Sequence, residues 1–201
     1  AGFGGGGHID FRSSAGETNA QFLFLSADGT GGRGLDGQEG TTGAGGSISL
    51  TVLGGAINGQ FFSASADGFG GRGGRSANGT NGPIAAGAGG YGFGGQIVAE
   101  IGETGSINLT QLFLGANGRG GDGGNHDVAV AGPALIGRGG NGQGGFVEFK
   151  GFGGTINDTQ LVLAAEAAGG IGGRFYDATG NGPTVPSSGT DSDAGGGFAF
   201  G

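Results

Sequence analysis

GGSISLTVLGGAINGQFFSASADGFGGRGG, residues 45–74, contains the two patterns that decide the fold. It starts with a strand of alternating polar and apolar residues, turns at a glycine pair, and continues as a second strand that ends in Ala-Asp-Gly. Alternation with a period of two predicts strands that bury one face. A glycine-rich tract follows, and the same order recurs along the chain, which indicates a repeat array.

Four such units can be aligned, and together they form a single array over residues 1–201. The units span residues 8–46, 47–95, 96–145 and 146–197, and residues 198–201 form a partial fifth unit. The first unit is about ten residues shorter than the others. We predict an all-β solenoid of stacked short strands, with no α-helix. Because no signal-peptide pattern is present, we expect either a mature chain or an internal piece of a longer one.

Aligned units place the same kind of residue in the same column. The inward columns of the two strands begin with Ile9, Ile48, Ile97 and Val147, and with Leu23, Phe62, Leu112 and Leu161. The opposite face of the second strand is also apolar, at Phe22, Phe24, Phe61, Phe113 and Val162. Since strands that are apolar on both faces are usually covered on both, we expect the glycine-rich tracts to lie over this face.

One column of the second strand consists of asparagine, at Asn19, Asn58, Asn108 and Asn157. A polar amide repeated in every unit predicts a structural ladder of stacked, hydrogen-bonded side chains. An alternative is N-glycosylation, because Asn78, Asn108 and Asn157 each lie two residues before a threonine.

The glycine-rich tracts have a period of three. Glycine makes up 60 of the 201 residues but proline only 4, which excludes collagen. In the first unit the regular positions are Gly31, Gly34, Gly37, Gly40, Gly43 and Gly46. This period predicts legs of polyproline-II-like (polyglycine II) geometry, whose peptide groups bond between legs. The alternative is a flexible glycine linker.

Each of the three longer units contains one Gly-Pro step at nearly the same distance from its start. These steps are Gly82-Pro83, Gly132-Pro133 and Gly182-Pro183. The regular placement predicts an outgoing leg, a turn at the Gly-Pro step and a returning leg. The first unit lacks this step, so we expect it to make a single pass.

Composition argues against most chemistry. The chain has no cysteine. Because its net charge is −8, we expect no nucleic-acid binding. Because its apolar runs are too short to cross a bilayer, we expect no membrane insertion. Its two histidines, His8 and His126, have no catalytic partner nearby in sequence, and we predict no enzyme. No cofactor is expected. Calcium is the metal to consider, because Asp28 and Asp67 share an Ala-Asp-Gly motif and residues 31–36 match part of a calcium-roll repeat.

The quoted unit resembles the repeats of very large bacterial surface proteins of the filamentous-haemagglutinin type and of autotransporter passengers. The likeness lies in the two alternating strands, the glycine-pair turn, the asparagine column and the Ala-Asp-Gly exit, and it covers roughly half of the chain. It implies a stacked β solenoid that is exported and used in adhesion or as a stalk. The glycine-rich tracts resemble instead the glycine-helix sandwiches of some phage tail-fibre adhesins and of a glycine-rich antifreeze protein.

These features together predict a structural segment of an extracellular or cell-surface fibre, stalk or adhesin. Its expected partners are copies of itself, stacked head to tail, or further repeats of the same chain. One alternative is a receptor-binding adhesin tip that recognises a surface glycan or receptor with its Gly-Pro turns. Another is an ice-binding protein, which requires a regular outward array. The mixed column Arg12, Thr51, Glu100 and Lys150 does not provide one.

Overall fold

The chain is all-β and contains no helix in the part of it that the structure describes. A computed structural model describes residues 2–80, 82–126, 136–173 and 198–200. Apart from one antiparallel hairpin, the strands in these ranges pair in parallel with the equivalent strand of the neighbouring unit.

The strands follow the same order in each unit. The first unit and the residues before it contain β1 (Gly4–Gly5), β2 (His8–Ser13), β3 (Glu17–Ser26) and β4 (Gly29–Thr30). Next come β5 (Gly43–Ala44), β6 (Ser47–Val52), β7 (Ala56–Ser65), β8 (Gly68–Phe69), β9 (Ala77–Gly79) and β10 (Gly82–Ile84). The third set is β11 (Gly92–Phe93), β12 (Gln96–Ile101), β13 (Ser106–Gly115) and β14 (Gly118–Arg119). The last strands are β15 (Gly142–Gln143), β16 (Phe146–Gly151), β17 (Thr155–Ala164), β18 (Ala167–Ala168) and β19 (Phe198–Phe200).

Two large parallel sheets result from this order. The first-strand sheet consists of β2, β6, β12, β16 and β19, and the second-strand sheet of β3, β7, β13 and β17. Their register joins the columns seen in the sequence, so that Ile97 pairs with both Ile48 and Val147. A one-residue slip would turn every apolar side chain to the wrong face, and the apolar columns therefore fix this register.

The hydrophobic core lies between the two sheets. Its largest fully buried side chains are Ile48, Leu50, Val52, Ile57, Phe62, Ile97, Ile101, Ile107, Leu112, Leu114 and Val147. Phe62 also meets Phe11 edge to face, with ring centroids 6.4 Å apart. Burial of each such side chain contributes about 1.5–3 kcal/mol.

Alternation along the second strand is interrupted at one point. Gln21 and Phe22 are consecutive, yet both side chains are exposed. The pairing of β3 with β7 is likewise broken between Ala20 and Phe22. As a result Asn19 lies on the outer face whereas Leu23, four residues later, faces the core. The period-two pattern did not predict this break.

The glycine-rich legs extend the two layers beyond the strands. The outgoing legs follow the second strands and the returning legs lead into the first strands. Within one layer, Gly31 donates to the Phe69 carbonyl and Gly34 to the Arg72 carbonyl, each at 2.8 Å. Backbone donors to the neighbouring unit thus recur every third residue along the outgoing leg.

The two layers of legs are also joined to each other by hydrogen bonds. The Gly71 N–H donates to the Thr41 carbonyl, the Gly90 N–H to Gly71, and the Gly121 N–H to Gly90, at 2.8, 2.8 and 2.9 Å. This zigzag alternates between outgoing and returning legs and crosses one unit after another. Within the outgoing layer, a Cβ atom on Gly71 or Gly121 would lie 2.0 Å from a backbone oxygen of the preceding unit's leg, so the close approach of these legs requires glycine.

The first unit makes both passes, which corrects the expectation of a single pass. Its chain reverses at residues 35–38, where Gln38 donates to the Leu35 carbonyl at 2.8 Å and Gly37 has a positive φ of 71°. In the second unit the reversal instead contains the hairpin of β9 and β10. This hairpin accounts for most of the ten extra residues, and the Gly82-Pro83 step belongs to its second strand.

Candidate functional site

The asparagine column forms a continuous ladder of side-chain hydrogen bonds. Asn58 Nδ2 donates to Asn19 Oδ1 at 2.9 Å, Asn108 to Asn58 at 2.7 Å, and Asn157 to Asn108 at 2.8 Å. Each interior amide therefore donates to one neighbour and accepts from the other. A glycan on Asn108 or Asn157 would occupy the amide nitrogen that donates in this ladder, whereas Asn78 lies apart from it in β9.

A second ladder lies where the second strands end. The carboxylate oxygen of Asp28 accepts from the Asp67 N–H, Asp67 accepts from the Asn117 N–H, and Asn117 accepts from the Glu166 N–H, at 2.7, 2.7 and 2.9 Å. Burial raises the pKa of the Asp67 carboxyl. The hydrogen bond from Asn117 opposes this shift, while the negative charge of Asp28 adds to it. The side chains of these aspartates thus accept hydrogen bonds from backbone N–H groups of the next unit.

Metal ligands are not gathered at this ladder. Within the described ranges, no group of three or more histidine, aspartate or glutamate side chains is placed to hold a metal ion. The aspartates of the Ala-Asp-Gly motif are occupied with the neighbouring backbone, and Asp28 also accepts from the hydroxyls of Ser26 and Ser65.

The Gly-Pro steps are described for one unit only. Gly82 has a φ of 122°, in the region that favours glycine, and Pro83 pairs with Asn78 across the hairpin. Both residues are exposed. Gly132, Pro133, Gly182 and Pro183 lie outside the described residues.

Both histidines have a serine partner from a neighbouring unit. His8 Nδ1 lies 2.7 Å from Ser47 Oγ at the surface, and His126 Nδ1 lies 3.2 Å from Ser76 Oγ in the interior. A search for partners close in sequence finds neither pair, because the partners are 39 and 50 residues apart. Ser76 and His126 are only 2% and 4% exposed, so a substrate would not reach the serine hydroxyl.

In the described ranges the glycine-rich legs leave the outer face of the second-strand sheet open at Phe22 and Phe24, so the expectation that they cover this face is wrong. Phe22 is 57% exposed and Phe24 65% exposed. Phe61, Phe113 and Val162 are half-buried by their neighbours on the same face. The described legs bond instead to the legs of neighbouring units and to each other, as extensions of the two layers. This aromatic surface is the largest departure from the sequence-based expectation.

The outer face of the first-strand sheet carries charge. Lys150 Nζ lies 2.9 Å from Glu148 Oε2 and 3.8 Å from Glu100 Oε1. A hydrogen bond from Lys150 to Glu148 raises the lysine pKa, and the Glu148 and Glu100 charges add to the effect. Exposed pairs of this kind contribute little to stability.

Comparison of the chain with known protein families, with curated proteins and with solved structures gives no match. No segment in the described part of the chain forms a helix able to span a bilayer.

Proposed function

We propose that this chain is a structural segment of a secreted bacterial surface fibre, stalk or adhesin that assembles by stacking its units in register. The observation that carries the proposal is the parallel register that is kept from unit to unit on both sides of the break in the second strand, supported by the asparagine ladder. Because every unit offers its neighbour nearly the same set of donors and acceptors, the stacking can continue with further repeats or with another copy.

The finer architecture we propose is a β solenoid with polyglycine II legs. Two observations support this geometry. Leg donors recur every third residue, and among the described glycines only Gly16, Gly37, Gly82 and Gly153 have positive φ. A left-handed, three-residue helix has negative φ and no internal hydrogen bonds, so its peptide groups are available to neighbouring legs. Vibrational circular dichroism would then show a polyproline II signal beside the β signal.

An open edge provides the test of stacking. Ala27 donates to the Ser65 carbonyl at 2.8 Å, and Ser26 is the residue that faces Ser65. In a parallel pair, one residue of each facing pair bonds to the neighbouring strand through its own N–H and C=O groups, here Ser65. The N–H and C=O groups of the residue that faces it, here Ser26, point away from that neighbouring strand. The Ser26 N–H therefore points to the edge of β3, which has no partner strand in the described residues.

The experiment compares the 201-residue chain with Ser26→Pro, which removes that N–H, and with Ser26→Ala, which keeps it. We expect filaments in electron micrographs, with a spacing of about 4.8 Å per unit along the axis, and we expect only the proline variant to shorten them. A wild-type chain that is folded yet monomeric at high concentration in sedimentation would contradict the proposal. In this assignment the protein is extracellular and has no enzymatic activity.

A further inference from the structure

An open pocket lies on the outer face of the second-strand sheet. It has a volume of about 700 Å³ and is lined by Phe22, Phe24, Gln60, Phe61, Thr110 and Gln111. We call these six residues the aromatic pocket. Its volume is within the range of sites that bind small organic ligands.

Three successive units build the aromatic pocket. In the parallel register, Phe22 pairs with Phe61 of the next unit, and Phe61 pairs with Gln111 of the unit after that. The rings of Phe24 and Phe61 are 5.5 Å apart and tilted by 46°. The pocket therefore offers two differently oriented aromatic faces, held by a rigid sheet.

Polar groups lie beside the rings. Gln111 Nε2 donates to Gln160 at 2.7 Å, and Gln60 Oε1 accepts from Gln21 at 3.5 Å. Within the described ranges, the Gln60 amide nitrogen and the Thr110 hydroxyl have no protein hydrogen-bond partner. A ligand with hydroxyl groups could bond to both without displacing an existing contact.

The chemistry of the lining decides the kind of ligand. None of the six residues carries a charge, although the chain as a whole has a net charge of −8. An ionic ligand would therefore lose its hydration without gaining a counter-charge. A protein interface of standard size involves about 20–30 residues a side, far more than the six found here.

We propose that the aromatic pocket binds one or two sugar units of a neutral carbohydrate. The apolar C–H face of a pyranose ring can lie on the electron-rich face of an aromatic ring. Its hydroxyl groups can then accept from Gln60 and bond to Thr110. Three units of one chain complete the pocket, so a single copy can bind the sugar, and Phe22 and Phe24 lie on β3, the strand whose edge the stacking proposal gives to another copy.

Isothermal titration calorimetry of the 201-residue chain tests this inference. The probes are the neutral hexasaccharides of glucose, mannose and N-acetylglucosamine, with a heparin hexasaccharide as the anionic comparison. We expect at least one neutral probe to bind, and Phe24→Ala to weaken its binding about tenfold or more. Phe152→Ala is the matched control, because Phe152 is as exposed as Phe22, at 57%, but lies in a turn outside the pocket.

A second variant tests the polar contacts. Gln60→Leu keeps the approximate size but removes the amide donor, and we expect it to weaken the same probe while circular dichroism stays unchanged. The inference is overturned if no neutral probe binds, if only heparin binds, or if both pocket variants bind like Phe152→Ala. A dimer that is lost in Phe24→Ala, without sugar binding, would also overturn it and make this face a contact between copies.

Discussion

The side-chain amide nitrogen of Asn108 lies 2.7 Å from the amide oxygen of Asn58, the equivalent residue one unit away. An amide can repeat this arrangement indefinitely, because it carries both a donor and an acceptor. A carboxylate in the same column could accept but not donate. The ladder thus links neighbouring units by a contact that does not depend on the apolar core.

Removal of an interior ladder amide should cost more than removal of the terminal one. Asn108→Ala deletes the bond to Asn58 and the bond from Asn157, and we expect the free energy of unfolding to fall by about 1–2 kcal/mol. Asn19→Ala deletes only one ladder bond and should cost about half as much. Urea denaturation measures both, and equal losses would show that the ladder does not act as a chain of bonds.

Contacts between the glycine-rich legs should tolerate no side chain. In Gly121→Ala, the new Cβ atom would lie 2.0 Å from the Gly71 carbonyl oxygen, and the legs would have to separate. We expect a loss of about 1–3 kcal/mol, as for other overpacked sites. Gly151→Ala is the control, because its Cβ would meet nothing within 4 Å. If Gly121→Ala and Gly151→Ala unfold at the same temperature, the inference that the legs are tightly packed is wrong.

The strand columns were predictable because they depend on local alternation. Ile48 and Ile97, assigned to one column by sequence, pair directly in the sheet. Parallel pairing between neighbouring units makes sequence columns into rows of contacts, so residues such as His8 and Ser47 could have been paired from the alignment alone. The Ser76–His126 contact was harder to find, because each residue stands where the three-residue pattern of its leg would place a glycine.

The open outer face was not predictable from the same pattern. Phe22 and Phe24 are as apolar as core residues, and a sequence pattern does not state what covers a face. The outcome depends on the direction in which the legs leave Ala27, whose carbonyl accepts from Gly46 at 2.6 Å. That bond joins the two layers where the second strand ends and the outgoing leg begins.

The core should depend strongly on Phe62, whose side chain is fully buried. Phe62→Ala leaves a cavity beside Phe11 and should lower the free energy of unfolding by about 3–5 kcal/mol. Phe24→Ala removes the same atoms from a side chain that is 65% exposed and should cost far less. Denaturant unfolding of the two variants would contradict the core assignment if Phe24→Ala were the more damaging.

Stability should depend on pH through Asp67, whose pKa is raised chiefly by burial above its ordinary value of 3.8. The folded chain then holds this proton more tightly than the unfolded chain. Protonation of the Asp67 carboxyl therefore stabilises the folded chain fully below pH 3.8, and this stabilisation is lost as the pH rises through the raised pKa. Asp67→Asn removes the charge but keeps an oxygen that can accept from the Asn117 N–H, as Asn117 itself does for Glu166.

We therefore expect Asp67→Asn to be more stable than the wild-type chain at pH 7, and the difference to shrink toward pH 3. Asp10→Asn, at an exposed position outside the ladder, is the control and should change stability by no more than about 0.5 kcal/mol at pH 7. Urea unfolding at a series of pH values measures all three chains. A neutral-pH loss of stability in Asp67→Asn would mean that the carboxylate charge itself holds the neighbouring backbone, and that burial is not the dominant effect at this ladder.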